Sequence, residues 1–223
     1  MKSAPDIDFP GLGANGAPKR RMGLTLLLAL AGVLWVTAVF GGSFLMLDHS
    51  QKPGPADECP SWWPAMSRLP HSGGQPTLVV FLHPKCPCSR ATVGELERLL
   101  ARSQGLVKAT VCFLRPTGKP ESWARSDLWS SAEAIPGVTV YCDDGGGEAR
   151  LFRAKTSGQT VLYGADGTLL FEGGITPSRG HAGDNAGSSA IRALLAHQQT
   201  GPVKTKVFGC VLMEADSTSG GAE

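Results

Sequence analysis

The chain has 223 residues, 42% of them hydrophobic and 18% charged, and its formal net charge is +2. A balance this small, with no long basic stripe, argues against nucleic acid as a partner. The length suffices for one domain with a real core beside a membrane segment.

Residues 1–23 are rich in Gly, Pro and Ala and read as a disordered tail. Gly11-Leu-Gly-Ala-Asn-Gly16 matches G-x-G-x-x-G, but no strand precedes it and no helix with a packed face follows, so it is not read as a nucleotide site. Residues 24–47 hold no charged residue, and their length exceeds the ~20 residues a helix needs to cross a bilayer. Lys19, Arg20 and Arg21 precede the run, and only Asp48 and His49 follow it. The positive-inside rule places the N-terminus in the cytoplasm and everything after Leu47 outside. A cleaved signal peptide is the competing reading. Against it, the apolar run continues through Phe44-Leu-Met-Leu47, beyond the small residues Gly41, Gly42 and Ser43. All six cysteines (Cys59, Cys86, Cys88, Cys112, Cys142 and Cys210) follow the anchor, where disulfides are permitted.

Residues 48–75 hold Pro53, Pro55, Pro60, Pro64 and Pro70 and read as a spacer. Trp62 and Trp63 interrupt it, either at the lipid interface or packed on the domain. Residues 76–200 are globular. Leu78–Leu82 reads as a buried strand, Ser89–Arg102 as a helix with Val93, Leu96, Leu99 and Leu100 on one face, and Val107–Leu114 as a second strand. Glu121–Ile135 reads as one helix, Val138–Tyr141 as a strand and Glu148–Ala154 as a turn or two of helix. Thr160–Tyr163 and Leu169–Phe171 form a hairpin around Gly164-Ala-Asp-Gly167, and Ser188–Gln199 closes the domain as a helix. Residues 201–223 are a C-terminal tail.

Between the first strand and the first helix stand Cys86-Pro87-Cys88. A helix start carries unpaired N–H groups and the positive end of the macrodipole, and both favour a thiolate. Pro87 suits the first helical position, where its missing N–H is not needed.

A strand ending in paired cysteines, a β-α-β unit, then a hairpin and a last helix resembles the thioredoxin fold, a central mixed sheet flanked by helices. The likeness covers roughly residues 76–200 and looks closest to the membrane-anchored TlpA and ResA type. The strings His83-Pro-Lys-Cys-Pro-Cys-Ser-Arg90 and Gly173-Gly-Ile-Thr-Pro-Ser-Arg-Gly-His-Ala-Gly-Asp-Asn185 resemble the bacterial proteins called RedB. This resemblance implies a single-pass protein of the bacterial inner membrane with its domain in the periplasm. It implies a thiol–disulfide oxidoreductase acting on protein thiols and disulfides with a redox partner. Cys86 is then the nucleophile and Cys88 the resolving thiol, and no cofactor is needed.

Two departures matter. The thioredoxin motif is C-x-x-C and this one is C-x-C, so a Cys86–Cys88 bond closes a small, strained ring that oxidises others readily. The family's cis-proline is replaced by Thr156-Ser157-Gly-Gln159-Thr160, with Gln159 about where that proline falls. Strand direction brings Ser157 and Gln159 to the cysteine end, along with the exit loop 173–185 and its Arg179 and His181. His83, three residues before Cys86, is a candidate for lowering the thiol pKa, against the plainer reading of a strand-end residue bonded to backbone. The alternative function is a copper-binding or copper-delivering module resembling Sco, with Cys86, Cys88 and His181 or His83 as ligands, although Sco spaces its cysteines C-x-x-x-C. A peroxiredoxin-type peroxidase is a weaker fit, since that family sets a threonine where His83 stands. Cys112 reads as an inert buried thiol, and Cys59 and Cys210, which flank the domain, as a candidate pair.

Overall fold

The computed structural model describes residues 18–71 and 73–213. The chain forms two compact units, Met1–Leu47 and Asp48–Glu223. The tail segment 1–17 and the chain end 214–223 lie outside the described residues.

The apolar run lies in helix α1 (Pro18–Gln51). Its stretch Gly23–Gln51 is long and apolar enough to cross a membrane. At ~1.5 Å per residue its 29 residues span about 43 Å, against a hydrocarbon core of ~30 Å. Leu34, Phe40 and Met46 are exposed, and the helix is apolar all round rather than striped.

The second unit is built on one six-stranded sheet. In chain order it contains β1 (Thr77–Leu82), α2 (Pro87–Arg102), β2 (Lys108–Arg115), α3 (Asp127–Glu133), β3 (Val138–Asp144), α4 (Gly147–Leu151), β4 (Gln159–Tyr163), β5 (Leu169–Gly174), α5 (Ala186–Leu195) and β6 (Val203–Lys204). The sheet order is β3-β2-β1-β4-β5-β6. β1, β2 and β3 run parallel, and β4 pairs antiparallel with β1. The fold is thioredoxin-like, a mixed sheet with helices on its faces.

Strand periodicity explains the two layers. Leu78, Val80 and Leu82 point into a cluster with Val93, Leu96 and Leu99 of α2, Trp129 of α3 and Ile191 of α5. Val79 and Phe81 point the other way, onto Phe152, Tyr163, Cys59 and Leu212. Every residue of β1 is buried, as a strand covered on both faces must be. Its carboxyl end is therefore fixed, and the loop leaving it carries the cysteines.

Three segments depart from the sequence reading. The helix expected over 121–135 is broken into a 3₁₀ turn, Glu121–Trp123, and α3. Ser126 takes an extended conformation as the N-cap residue and Asp127 opens the new helix. The proline-rich stretch is laid along the domain over residues 54–63. The Tyr163 hydroxyl donates to Pro60 O at 2.8 Å, and Trp63 packs edge-on against Phe152 and Tyr163. The 201–213 part of the tail forms β6 and then a run that returns to the cysteine end of the sheet. β6 is parallel to β5, so chain beyond it leads the same way as the exit loop of β5.

Candidate redox site

Cys86 is the N-cap residue of α2 and Pro87 its first helical residue. The Cys86 N–H donates to His83 O at 3.1 Å, which closes the turn after β1, and the Ser89 N–H donates to Cys86 O at 3.0 Å. The Ser89 hydroxyl donates to His83 O at 3.0 Å and lies 2.9 Å from the Ser157 hydroxyl. Ser157 Oγ accepts the His83 N–H at 2.8 Å. Two serines thus lock the cysteine loop to the turn that precedes β4.

A third cysteine enters from the C-terminal run. Cys210 Sγ lies 2.8 Å from Cys86 Sγ. The sulfurs of Cys86, Cys88 and Cys210 all fall within 4.8 Å of one another, and all three thiols are free. The run is held by backbone. Ser157 N–H donates to Cys210 O at 2.9 Å, Leu212 N–H to Lys155 O at 2.7 Å, and Gly54 N–H to Val207 O at 2.9 Å. At Gly209 the chain passes so close that an added Cβ would sit 1.9 Å from Ser157 O, so only glycine fits.

The electrostatics set Cys86 apart. Burial opposes its ionisation, but the Cys210 thiol and the N–H groups of Cys210, Cys88 and Ser89 that surround its sulfur hold its pKa below the ordinary value. Cys88 is pushed up by burial, by the adjacent Cys86 charge and by bonding to Cys86, with Arg179 opposing. Cys210 is pushed up by burial and then by donating to Cys86, again with Arg179 opposing. Of the three, Cys86 gives up its proton most readily, and Cys88 and Cys210 hold theirs more firmly.

The residues singled out in the sequence fall as follows. Pro87, Ser157 and Arg179 are at the site. Arg179 donates from Nη1 to Gly209 O at 2.5 Å and from Nε to Lys52 O at 3.0 Å, so it braces the C-terminal run while facing the sulfurs. Gln159 begins β4 opposite Phe81 but turns its side chain away, to Cys59 Sγ at 3.2 Å. His83 stacks edge-on against Trp123 and accepts the Lys85 N–H at Nδ1, 3.2 Å away. Burial and then Lys85 lower its pKa, which keeps it neutral and removes it as a cation for the thiolate. His181 is exposed, with Nδ1 2.7 Å from Arg179 O, and it stands outside the three-sulfur group. Cys59 does not meet Cys210. Its N–H donates to a Glu172 carboxylate oxygen at 2.7 Å.

Cys210 is the residue that sequence reasoning missed. The signal was present in Val203, Thr205 and Val207, an alternating run that reads as a strand after the last helix. Paired parallel to β5, such a strand delivers its continuation to the cysteine end.

No family profile matches the chain, and no curated protein matches it with significance. Solved structures do. An uncharacterized conserved protein from Geobacillus kaustophilus is 16% identical, with 75% of this chain and 95% of that chain covered and a TM-score of 0.52. A hypothetical protein from Sinorhizobium meliloti 1021 is likewise 16% identical, covering 75% of this chain and 97% of that one, TM-score 0.53. A secreted disulfide oxidoreductase of Mycobacterium tuberculosis homologous to E. coli DsbE is 18% identical over 57% of this chain and 84% of that one, at a TM-score of 0.41. At these identities the likeness is one of fold.

Proposed function

We propose that this chain is a membrane-anchored, extracytoplasmic thiol–disulfide oxidoreductase with Cys86 as its nucleophile. One observation carries the reading. The Cys86 sulfur stands at the start of α2, 2.8 Å from the Cys210 sulfur, and the Cys210 thiol and the nearby N–H groups of Cys88 and Ser89 favour its ionised form. This environment stabilises the thiolate, which is the attacking form in disulfide exchange.

In the exchange, the Cys86 thiolate attacks a partner disulfide, forms a mixed disulfide and expels one partner thiolate. A second thiol of the site then attacks Cys86 Sγ and releases the other half of the partner. The C-x-C motif assigns that second role to Cys88. The apolar α1 and the basic flank Lys19-Arg20-Arg21 support a single-pass anchor in a bacterial inner membrane, N-terminus inside and domain in the periplasm. The strings around Cys86 and Arg179 support a RedB-like assignment within the thioredoxin-like fold.

The test is catalysed reduction of insulin disulfides by dithiothreitol, using the full chain in detergent micelles. The wild type accelerates the reaction and Cys86→Ser does not. Equal rates for the two proteins would overturn the reading.

A second reading is supported by the same three sulfurs. Thiolates suit Cu(I), and three of them within 4.8 Å form a compact donor set. The copper-delivery alternative then uses Cys86 and Cys88 with Cys210, in the place that the sequence reading gave to His181. Its test is retention of Cu(I) by the reduced full chain against a competing chelator, and equal loss from wild type and Cys210→Ala would end it.

A further inference from the structure

We propose that Cys86 and Cys210 close the redox disulfide of this protein, joining the start of α2 to the run that follows β6. The inference rests on the exchange reading above and reassigns its resolving thiol.

Three observations carry it. First, the two sulfurs are 2.8 Å apart, and a disulfide bond of ~2.05 Å needs them to close by less than about 1 Å. Second, Cys210 is held in place before any reaction. Ser157, Arg179 and Lys155 grip the run on both sides of it, and Gly209 lets the backbone approach Ser157. The ordering cost of bringing a thiol from 124 positions away is met by the fold itself. Third, Cys88 shares the sulfur group but stands one residue beyond Cys86, inside α2, so a Cys86–Cys88 bond closes a small, strained ring across the helix start, whereas Cys210 closes none.

With glutathione disulfide as the oxidant, the step balances as follows. The Cys86 thiolate attacks one glutathione sulfur, the glutathione S–S bond breaks, and one glutathione thiolate leaves. Once Cys86 is a mixed disulfide its charge is gone, and the charge that kept Cys210 protonated goes with it. Cys210 loses its proton to solvent and attacks Cys86 Sγ. The Cys86–Cys210 bond forms, the second glutathione leaves as thiolate, and two electrons have passed from the cysteine pair to glutathione disulfide.

Non-reducing peptide mapping of the full chain in detergent tests this. The reduced protein is equilibrated with glutathione disulfide, quenched in acid, alkylated and cut with trypsin. Cleavage after Lys85, Arg90 and Lys206 puts Cys86 and Cys88 together in peptide 86–90 and Cys210 in peptide 207–223. The expected wild-type product joins 86–90 to 207–223. The same product persists in Cys88→Ala and is lost in Cys86→Ala. Cys210→Ala accumulates glutathione on Cys86 at least about tenfold over the wild type, while Cys88→Ala does not. Peptide 86–90 closed on itself in the wild type, with Cys210 alkylated, would overturn the proposal and leave the exchange reading standing. A Cys86 that takes up neither glutathione nor a cysteine partner in any variant would overturn both.

Discussion

Cys86 and Cys112 both expose little surface, 3% and 1%, but Cys112 lies deeper in the sheet, and their pKa values are displaced in opposite directions. Cys112 lies in the middle of β2. Burial pushes its pKa well above the ordinary value, and Asp143 and Glu148 add to this. Cys59 behaves similarly, raised to about 12 by burial and then by its bond to Glu172. Cys142 reaches about 11 through burial and its bond to Asp144. Around these three thiols carboxylates, which accept, outweigh the single donor, the Gln159 amide on Cys59. Around Cys86 the polar neighbours are N–H groups and a thiol, which are donors. Burial alone therefore does not decide reactivity. What a sulfur is buried against decides it.

The sharpest way to break this contrast is to remove the donated-to sulfur. Cys86→Ser should lower insulin reduction by roughly three orders of magnitude or more, while Cys142→Ser should leave it near the wild-type rate. Next comes removal of the donors. In Gly209→Ala the added Cβ meets Ser157 O, so the run carrying Cys210 has to shift. The Cys86 pKa should then climb, read from its alkylation rate against pH.

The other side of the contrast appears in stability. The Cys59 pKa is higher folded than unfolded, so its stabilising contribution is complete below pH 9 and is lost as pH rises from 9 toward 12. Three units amount to about 4 kcal/mol at most. Urea unfolding of the wild type should show that loss, and Cys59→Ala should flatten its slope above pH 9. The smallest effect is expected at Arg179, whose charge lowers the Cys88 and Cys210 pKa values. Arg179→Gln should slow alkylation of Cys210 by about a few-fold.

Much of this architecture was legible because strand and helix periods are local. The apolar run of β1, the spaced leucines of α2 and the Gly-Ala-Asp-Gly turn each carry their own signal. The Cys86-Pro87-Cys88 junction was legible for the same reason, since strand end, helix start and sulfur adjoin in sequence. The neutral state of His83 was not legible, because its burial and its contact with Trp123, 40 residues on, arise only in the folded chain. The inward turn of Gln159 depends on Cys59, which is 100 residues away. Cys210 depends on a two-residue strand whose pairing partner, β5, no local pattern reveals. The proline-rich stretch read as a spacer because prolines mark extended chain, but extended chain also lies flat on a sheet edge, where Trp62 bridges Thr168.

The most direct measurement is a site-resolved alkylation profile of all six cysteines in the reduced full chain, from pH 5 to 10, read by mass spectrometry. The account predicts a Cys86 midpoint below 9 and midpoints above 9 for Cys59, Cys88, Cys112, Cys142 and Cys210. A Cys86 midpoint at or above those of the others would contradict it.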